Sequence, residues 1–230
     1  MRSFLLALIL ASLPLAAADK LHTMADKVTD KLRPGRGKPL FDGKDLDGWE
    51  WAGDGNHGFV VSDRMLVTDG GKGILWYKGE KIGNAVLRVV YKMSNDKGNS
   101  GVFIRIPVEP KSESDAINKG IEVQIDNRDD DWHCTGVLYS MTRALSRPYH
   151  PPSEWNTMEI TLEGPRTSIT VNDAFVSSYD GVSYVPPKTK PYEPDRGPRP
   201  ESGYIALQHH DNNAVITFKE ISVREPKKKK

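Results

Sequence analysis

Eleven short β-rich runs, each bounded by turn residues, fill the chain between Phe59 and Val223, and that punctuation leaves no room for a helical bundle. They are Phe59 to Leu66, Gly73 to Tyr77, Ala85 to Met93, Gly101 to Pro107, Ile121 to Asp126, Thr135 to Tyr139, Trp155 to Leu162, Thr167 to Asn172, Ala174 to Tyr179, Gly203 to His210 and Ala214 to Val223. Several alternate cleanly. Leu87, Val89 and Tyr91 oppose Val86, Arg88 and Val90, and Asn156, Met158, Ile160 and Leu162 oppose Trp155, Thr157, Glu159 and Thr161, so one face packs while the other meets water or ligand. Short strands at this spacing predict an all-β sandwich. Asn172-Asp173 marks a tight hairpin between two of the runs. No segment has a helical period of useful length, and Lys111 to Lys119 reads as a polar surface loop. Pro186 to Pro200, with 6 of the 16 prolines, reads as a long extended connection of the kind that rims binding sites on sandwiches.

The N-terminus carries a separate message. Met1 and Arg2 precede the apolar run Phe4 to Leu13 and the small residues Ala16-Ala17-Ala18, the pattern of a secretory signal over residues 1–18. The apolar run is too short for a membrane span, which needs roughly 20 residues. Export to the periplasm or the extracellular space follows as an expectation. Residues 19–37 read as a polar linker, 38–225 as the domain, and 226–230 as a solvated basic tail. Cys134 is the single cysteine, so no internal disulfide staples the chain; stability has to come from a packed core, with Cys134 as a small buried hydrophobe. A net charge of +1, from 32 basic and 31 acidic residues, argues against nucleic acid as a partner.

Candidate chemistry centres on Ile121 to Asp126. Alternation puts Glu122, Gln124 and Asp126 on one face of a strand, opposite Ile121, Val123 and Ile125. Alternation alone equally fits a solvated face. The same parity places Arg105 with Phe103, and Gln208 with His210, so Arg, Glu, Gln and His from separate strands are expected to converge on a concave sheet. Arg binds oxyanions as a planar fork, Gln offers neutral hydrogen bonds, and Glu or His moves protons. Sugars are recognised by such groups together with aromatic platforms, for which Trp51, Trp76, Trp132, Tyr139 and Trp155 are available. Glu122 and Asp126 on one flat strand would stand about 13 Å apart, too far for a glycosidase carboxylate pair. Asp126 to Asp131 is rich in oxygen and a candidate for a divalent cation such as calcium, without the fixed ligand spacing of a calcium loop. No zinc signature, nucleophile elbow, P-loop or dinucleotide fingerprint occurs, and the oligomeric state is not readable.

Six blocks in order then carry a resemblance: Leu40 to Trp49, Gly98 to Arg105, Gly120 to Ile125, Thr135 to Tyr139, Glu154 to Asn156 and Ile205 to His210. Together they resemble the 3-keto-disaccharide hydrolase domain family over roughly Pro39 to Arg224. The resemblance implies a concanavalin-like jelly roll and cleavage of glycosides already oxidised at C3, by proton abstraction at C2 with elimination and hydration. Its motifs fall on Asn99, Arg105, Glu122, Gln124, His133, Tyr139, Trp155, Gln208 and His210. The roles it implies are Glu122 or His210 as proton acceptor, His133 or Tyr139 as acid, and Arg105 with Gln124 on the ketone and hydroxyls. The chain departs from the family at Gln208-His209-His210-Asp211, where Gln, any residue, His and Gly are usual; this leaves His209 and His210 both open as the histidine of the cleft, with strand parity favouring His210 beside Gln208. The alternative from another class is a non-catalytic carbohydrate-binding module, since this fold serves both.

Overall fold

Antiparallel pairing of alternating strands organises the folded chain, and a computed structural model describes it at residues 37–53, 58–128 and 130–226. The expected secretory signal, the linker up to residue 36 and the terminal lysines 227–230 lie outside the described residues. The strands in chain order are β1 (Lys38–Pro39), β2 (Trp49–Trp51), β3 (Phe59–Ser62), β4 (Met65–Thr68), β5 (Gly73–Tyr77), β6 (Ala85–Met93), β7 (Ser100–Ile106), β8 (Ile121–Ile125), β9 (Asn156–Glu163), β10 (Arg166–Val171), β11 (Ala174–Tyr179), β12 (Tyr204–His209) and β13 (Ile216–Arg224). A helix, α1 (Glu113–Lys119), joins β7 to β8. The larger sheet has eight strands in the order β11-β10-β9-β6-β13-β4-β3, with β1 also on β13. The smaller has five, in the order β2-β5-β12-β7-β8.

The two sheets form a jelly-roll sandwich whose core is the inward parity of each strand. Leu87, Val89 and Tyr91 of β6 and Met158, Ile160 and Leu162 of β9 meet Val102 and Ile104 of β7, Val123 of β8 and Leu207 of β12 in one apolar cluster that also holds Cys134. Emptying one such position to Ala costs about 2–5 kcal/mol. The residues between them, Glu122 and Gln124 among them, are thereby turned to the outer face of the smaller sheet.

Four local features differ from the sequence reading. Phe59 to Leu66 is two strands, because Asp63 and Arg64 both adopt positive φ (49° and 61°) and close a hairpin. That conformation suits the primed turns whose twist matches paired strands. The expected hairpin at Asn172-Asp173 has the same geometry, with φ of 49° and 67°. Lys111 to Lys119 contains a helix rather than only loop: the Ser112 side chain accepts from the Asp115 amide, acidic residues occupy the first turn and Lys119 the last. Thr135 to Tyr139 is not a regular strand, since Gly136 sits at φ 87°, yet its backbone still follows the β8 edge through Gly136 N to Gln124 O and Tyr139 N to Glu122 O, both 2.9 Å. The strands β1 and β2, of two and three residues, are too short to carry an alternation.

Candidate functional site

The outer face of the smaller sheet is divided. At one end α1 lies over it, packing Ala116 and Ile117 against Trp76, Phe103, Ile106 and Ala206. At the other end the apolar cover stops and a cavity of about 430 Å³ opens. Strand register explains why. Ile74 pairs with Gln208, and Gly101 pairs with Gln124. Continuing the β7–β12 register, in which Leu207 faces Val102, puts Gly101 beside Gln208. The cavity floor is therefore a row Ile74, Gln208, Gly101, Gln124 in which the third member has no side chain. Glu122, beside Phe103 in the neighbouring row, leans into that vacancy: a Cβ built on Gly101 would meet its carboxyl oxygen.

Burial without partners sets the electrostatics. Glu122 is 7% exposed, and desolvation alone, with no neighbouring cation to offset it, pushes its carboxyl up to about 8. Gln124 donates to Asn99 Oδ1 at 3.3 Å but leaves its own Oε1 buried and unbonded, and Gln208 Oε1 is also unbonded. Unpaired buried acceptors cost about 1–3 kcal/mol each, so a ligand rich in hydroxyl donors would be rewarded here. His209 closes one end, its Nε2 2.7 Å from the Asp211 carbonyl oxygen and its ring edge-on to Phe59; burial lowers its basicity. His210 and Tyr139 stand at the rim, His210 paired with Asp211 Oδ2 at 2.9 Å and Tyr139 with its ring centroid 4.8 Å from that of His133.

A 3-keto-alpha-glucoside-1,2-lyase-like domain matches residues 37–224. The chain belongs to this family. No curated protein matches it. Among solved structures, a "putative glycosyl hydrolase" of Parabacteroides distasonis is 23% identical with a TM-score of 0.67, covering 84% of this chain and 100% of that one. A carbohydrate-binding module of Bacillus subtilis, CBM66, is 14% identical with a TM-score of 0.51, over 77% of this chain and 96% of that one. A protein of galectin-like fold, also from Bacillus subtilis, is 12% identical with a TM-score of 0.53, over 83% and 97%. At these identities the structures share the fold, and the family makes the domain's function carbohydrate-related.

Of the residues singled out in the sequence, the structure brings Asn99, Glu122, Gln124, Tyr139, Gln208 and His210 to one cavity. Arg105 is not among them. It sits in a β-bulge with φ 57°, where β7 gains a residue against β12, and this breaks the parity that would have kept it with Phe103. Its guanidinium is buried instead at the rim of the sandwich, donating to the carbonyls of Gly164, Arg166 and Pro200 and to Thr167 Oγ1 at 2.8–3.2 Å. Trp155 is on the other side of the molecule, its ring between Lys92 and Lys219 on the outer face of the larger sheet. Asp126 keeps the parity of Glu122 but lies outside the cavity lining, gripped by Arg128 through bonds of 2.7 and 3.1 Å. His133 bonds Asp130 at 2.9 Å and reaches the cavity only through Tyr139. Of the other proposed platforms, Trp76 is covered by Tyr204 and Trp51 lies against Phe59.

The sequence reading missed Lys72, Ile74, Glu113, Ile117 and Tyr192; with His209, which lines the cavity beside His210 where parity favours His210, they complete the lining. Glu113 and Ile117 come with α1, whose Ser112-x-x-Asp115 cap was a readable signal. Tyr192 comes from the proline-rich connection, which does rim the cavity. The acidic run from Asp126 is held by cations of the chain itself: Arg128 on Asp126, and Arg143 and Arg147 on Asp131, both at 2.9 Å. Asp129 lies outside the described residues, and among the described residues no group of three or more His, Cys, Asp or Glu side chains is arranged to hold a metal ion. No helix among them is long and apolar enough to cross a membrane.

Proposed function

We propose that the protein cleaves 3-keto-glycosides by removing the C2 proton. The observation that carries this reading is Glu122: a desolvated carboxyl poised at about 8, over a glycine floor, in a cavity shared with the unbonded amide oxygens of Gln124 and Gln208. A ketone at C3 acidifies the proton on C2. Glu122 takes that proton, the electron pair forms the C1–C2 double bond, and the C1–O bond to the aglycone breaks with a proton delivered to the leaving oxygen. Water then adds across the double bond, so the sum is hydrolysis. A base near the working pH is the most efficient one.

Negative charge gathers on the C3 oxygen during abstraction and has to be held. Arg105 does not reach the cavity, and the cationic or proton-donating groups lining it include Lys72, His210 and Tyr139. We assign the oxyanion to Lys72 and His210 and the leaving-group proton to Tyr139, whose ring is backed by His133. The amide oxygens of Gln124 and Gln208 accept from sugar hydroxyls. With the N-terminal secretory pattern, the enzyme would act outside the cytoplasm on sugars oxidised by another catalyst.

The test is aglycone release from a 3-keto-glucoside by wild type, Glu122→Gln and His210→Ala, each checked for its folded signal. Release that falls at least a hundredfold in Glu122→Gln supports the reading; release unchanged in that variant removes Glu122 from it. The likeness in fold to a carbohydrate-binding module favours one other outcome, saturable sugar binding with no release of aglycone from any 3-keto-glycoside.

A further inference from the structure

The proline-rich connection is fastened at both sides of the cavity mouth. Arg196 donates to the Pro186 and Pro194 carbonyls at 2.7 and 2.6 Å, to Ser140 Oγ at 3.0 Å and to Glu193 Oε2 at 3.1 Å. Glu193, 4% exposed, also accepts from the amide and hydroxyl of Thr189. Ser140 follows Tyr139 directly. On the other side, Arg199 donates to the Asn118 and Asp195 carbonyls at 3.0 and 2.6 Å, Asp195 N to Asn118 O at 3.0 Å, and Lys188 to Asn118 Oδ1 at 2.9 Å. Asn118 follows Ile117 directly. The segment is thus a strap stretched between the helix and the turn that supply two walls of the cavity.

Tyr192 occupies the middle of the strap, next in sequence to the buried Glu193. It is 55% exposed, lines the cavity, and has neither hydrogen bond nor ring partner among the described residues. The fastened backbone sets the ring at the mouth of a cavity that Ile117 also lines. A tyrosine has only two side-chain torsions, so on a fastened backbone it loses little entropy on stacking, which is what makes such rings effective platforms.

We propose that Tyr192 is the aglycone platform: it stacks on a leaving group that presents a flat ring face, either an aryl ring or a second pyranose, and so makes the enzyme select ring-bearing over small-alkyl aglycones. The assignment rests on the cleavage reading for its meaning, since the group at C1 is the one that leaves. The floor around Glu122 and Gln208 holds the oxidised sugar, and the strap reads what is attached to it.

The test separates platform from chemistry. Phenyl glucoside, a glucosyl-glucose disaccharide and methyl glucoside, none oxidised, are titrated calorimetrically into wild type, Tyr192→Phe and Tyr192→Ala; the 3-keto forms are then assayed for turnover. The expectation is binding of the phenyl or glucosyl ligand roughly tenfold tighter than methyl glucoside, kept in Tyr192→Phe, lost in Tyr192→Ala, with methyl glucoside unaffected throughout. Phenyl alone preferred identifies an aryl aglycone; glucosyl alone preferred identifies a disaccharide. Equal binding of all three ligands by wild type, or an equal loss for all three in Tyr192→Ala, overturns the platform. Absence of turnover with the ring preference intact refutes the cleavage reading and leaves the platform standing.

Discussion

The outer faces of the two sheets carry similar residue types and treat them differently. On the larger sheet, Arg88 bridges Glu159 and Glu220 at 3.5 and 3.3 Å, Arg224 reaches Glu159 at 3.1 Å, and Trp155 is covered by Lys92 and Lys219. Charge there is neutralised within the face. On the smaller sheet no cation offsets the desolvation of Glu122, and the amide oxygens of Gln124 and Gln208 go unbonded. The cavity face bears a stability cost that the other avoids, and such a cost persists where a ligand supplies the missing partners. A row of polar residues on a strand is therefore not the signal of a site; a row that fails to pair internally is.

The largest expected contrast is in activity. Glu122→Gln should lower aglycone release by at least a hundredfold, whereas Glu159→Gln on the opposite face should leave it within twofold; equal losses would erase the distinction between the faces. Filling the floor comes next. Gly101→Ala places a methyl against the Glu122 carboxyl, and because Gly101 has an ordinary negative φ the backbone accepts it, so the turnover number should fall about tenfold or more while the melting temperature moves little.

Stability against pH sharpens the contrast further. The folded pKa of Glu122 is raised from 4.5 to about 8, so the folded state binds the extra proton between those values and wild type loses stability as pH rises through them. Denaturant unfolding at pH 4.5 and pH 9 should show that loss, on the order of 4 kcal/mol, removed in Glu122→Gln; a variant with the same pH slope as wild type would mean that Glu122 is solvated. Activity should run the other way, rising with pH to a plateau above about 8 because the ionised carboxylate is the base. The smallest effect belongs to the paired face, where Arg88→Met should change stability by about 1 kcal/mol or less, since partly exposed ion pairs contribute little.

Alternation exposed most of the sandwich in the sequence, because inward parity is a property of neighbours along the chain and survives in β6, β8 and β9 without interruption. The same rule brought Glu122, Gln124 and Gln208 to one face. It failed at Arg105, where a positive φ at a non-glycine residue inserts a bulge that no residue type announces, and a single such residue reverses the face of everything beyond it. Trp155 and Asp126 failed for another reason: both have the right character for a sugar site, and only the folded chain shows them occupied, Trp155 by two lysines of other strands and Asp126 by Arg128 two residues on, whose grip depends on the turn between them. Tyr192 was out of reach because a long connection places its side chains by its fastenings, and those join positions as distant as Arg196 and Ser140; Lys72 stands just before β5, outside the alternating run read from the sequence.

Loss of the C2 hydrogen into solvent is the most direct readout of what Glu122 does. A 3-keto-glucoside incubated in deuterated water and followed by proton NMR should show exchange or loss of the C2 proton with wild type and none above background with Glu122→Gln. Aglycone released by wild type with the C2 proton fully retained in the sugar product would contradict abstraction at that carbon and, with it, the role assigned to the buried carboxyl.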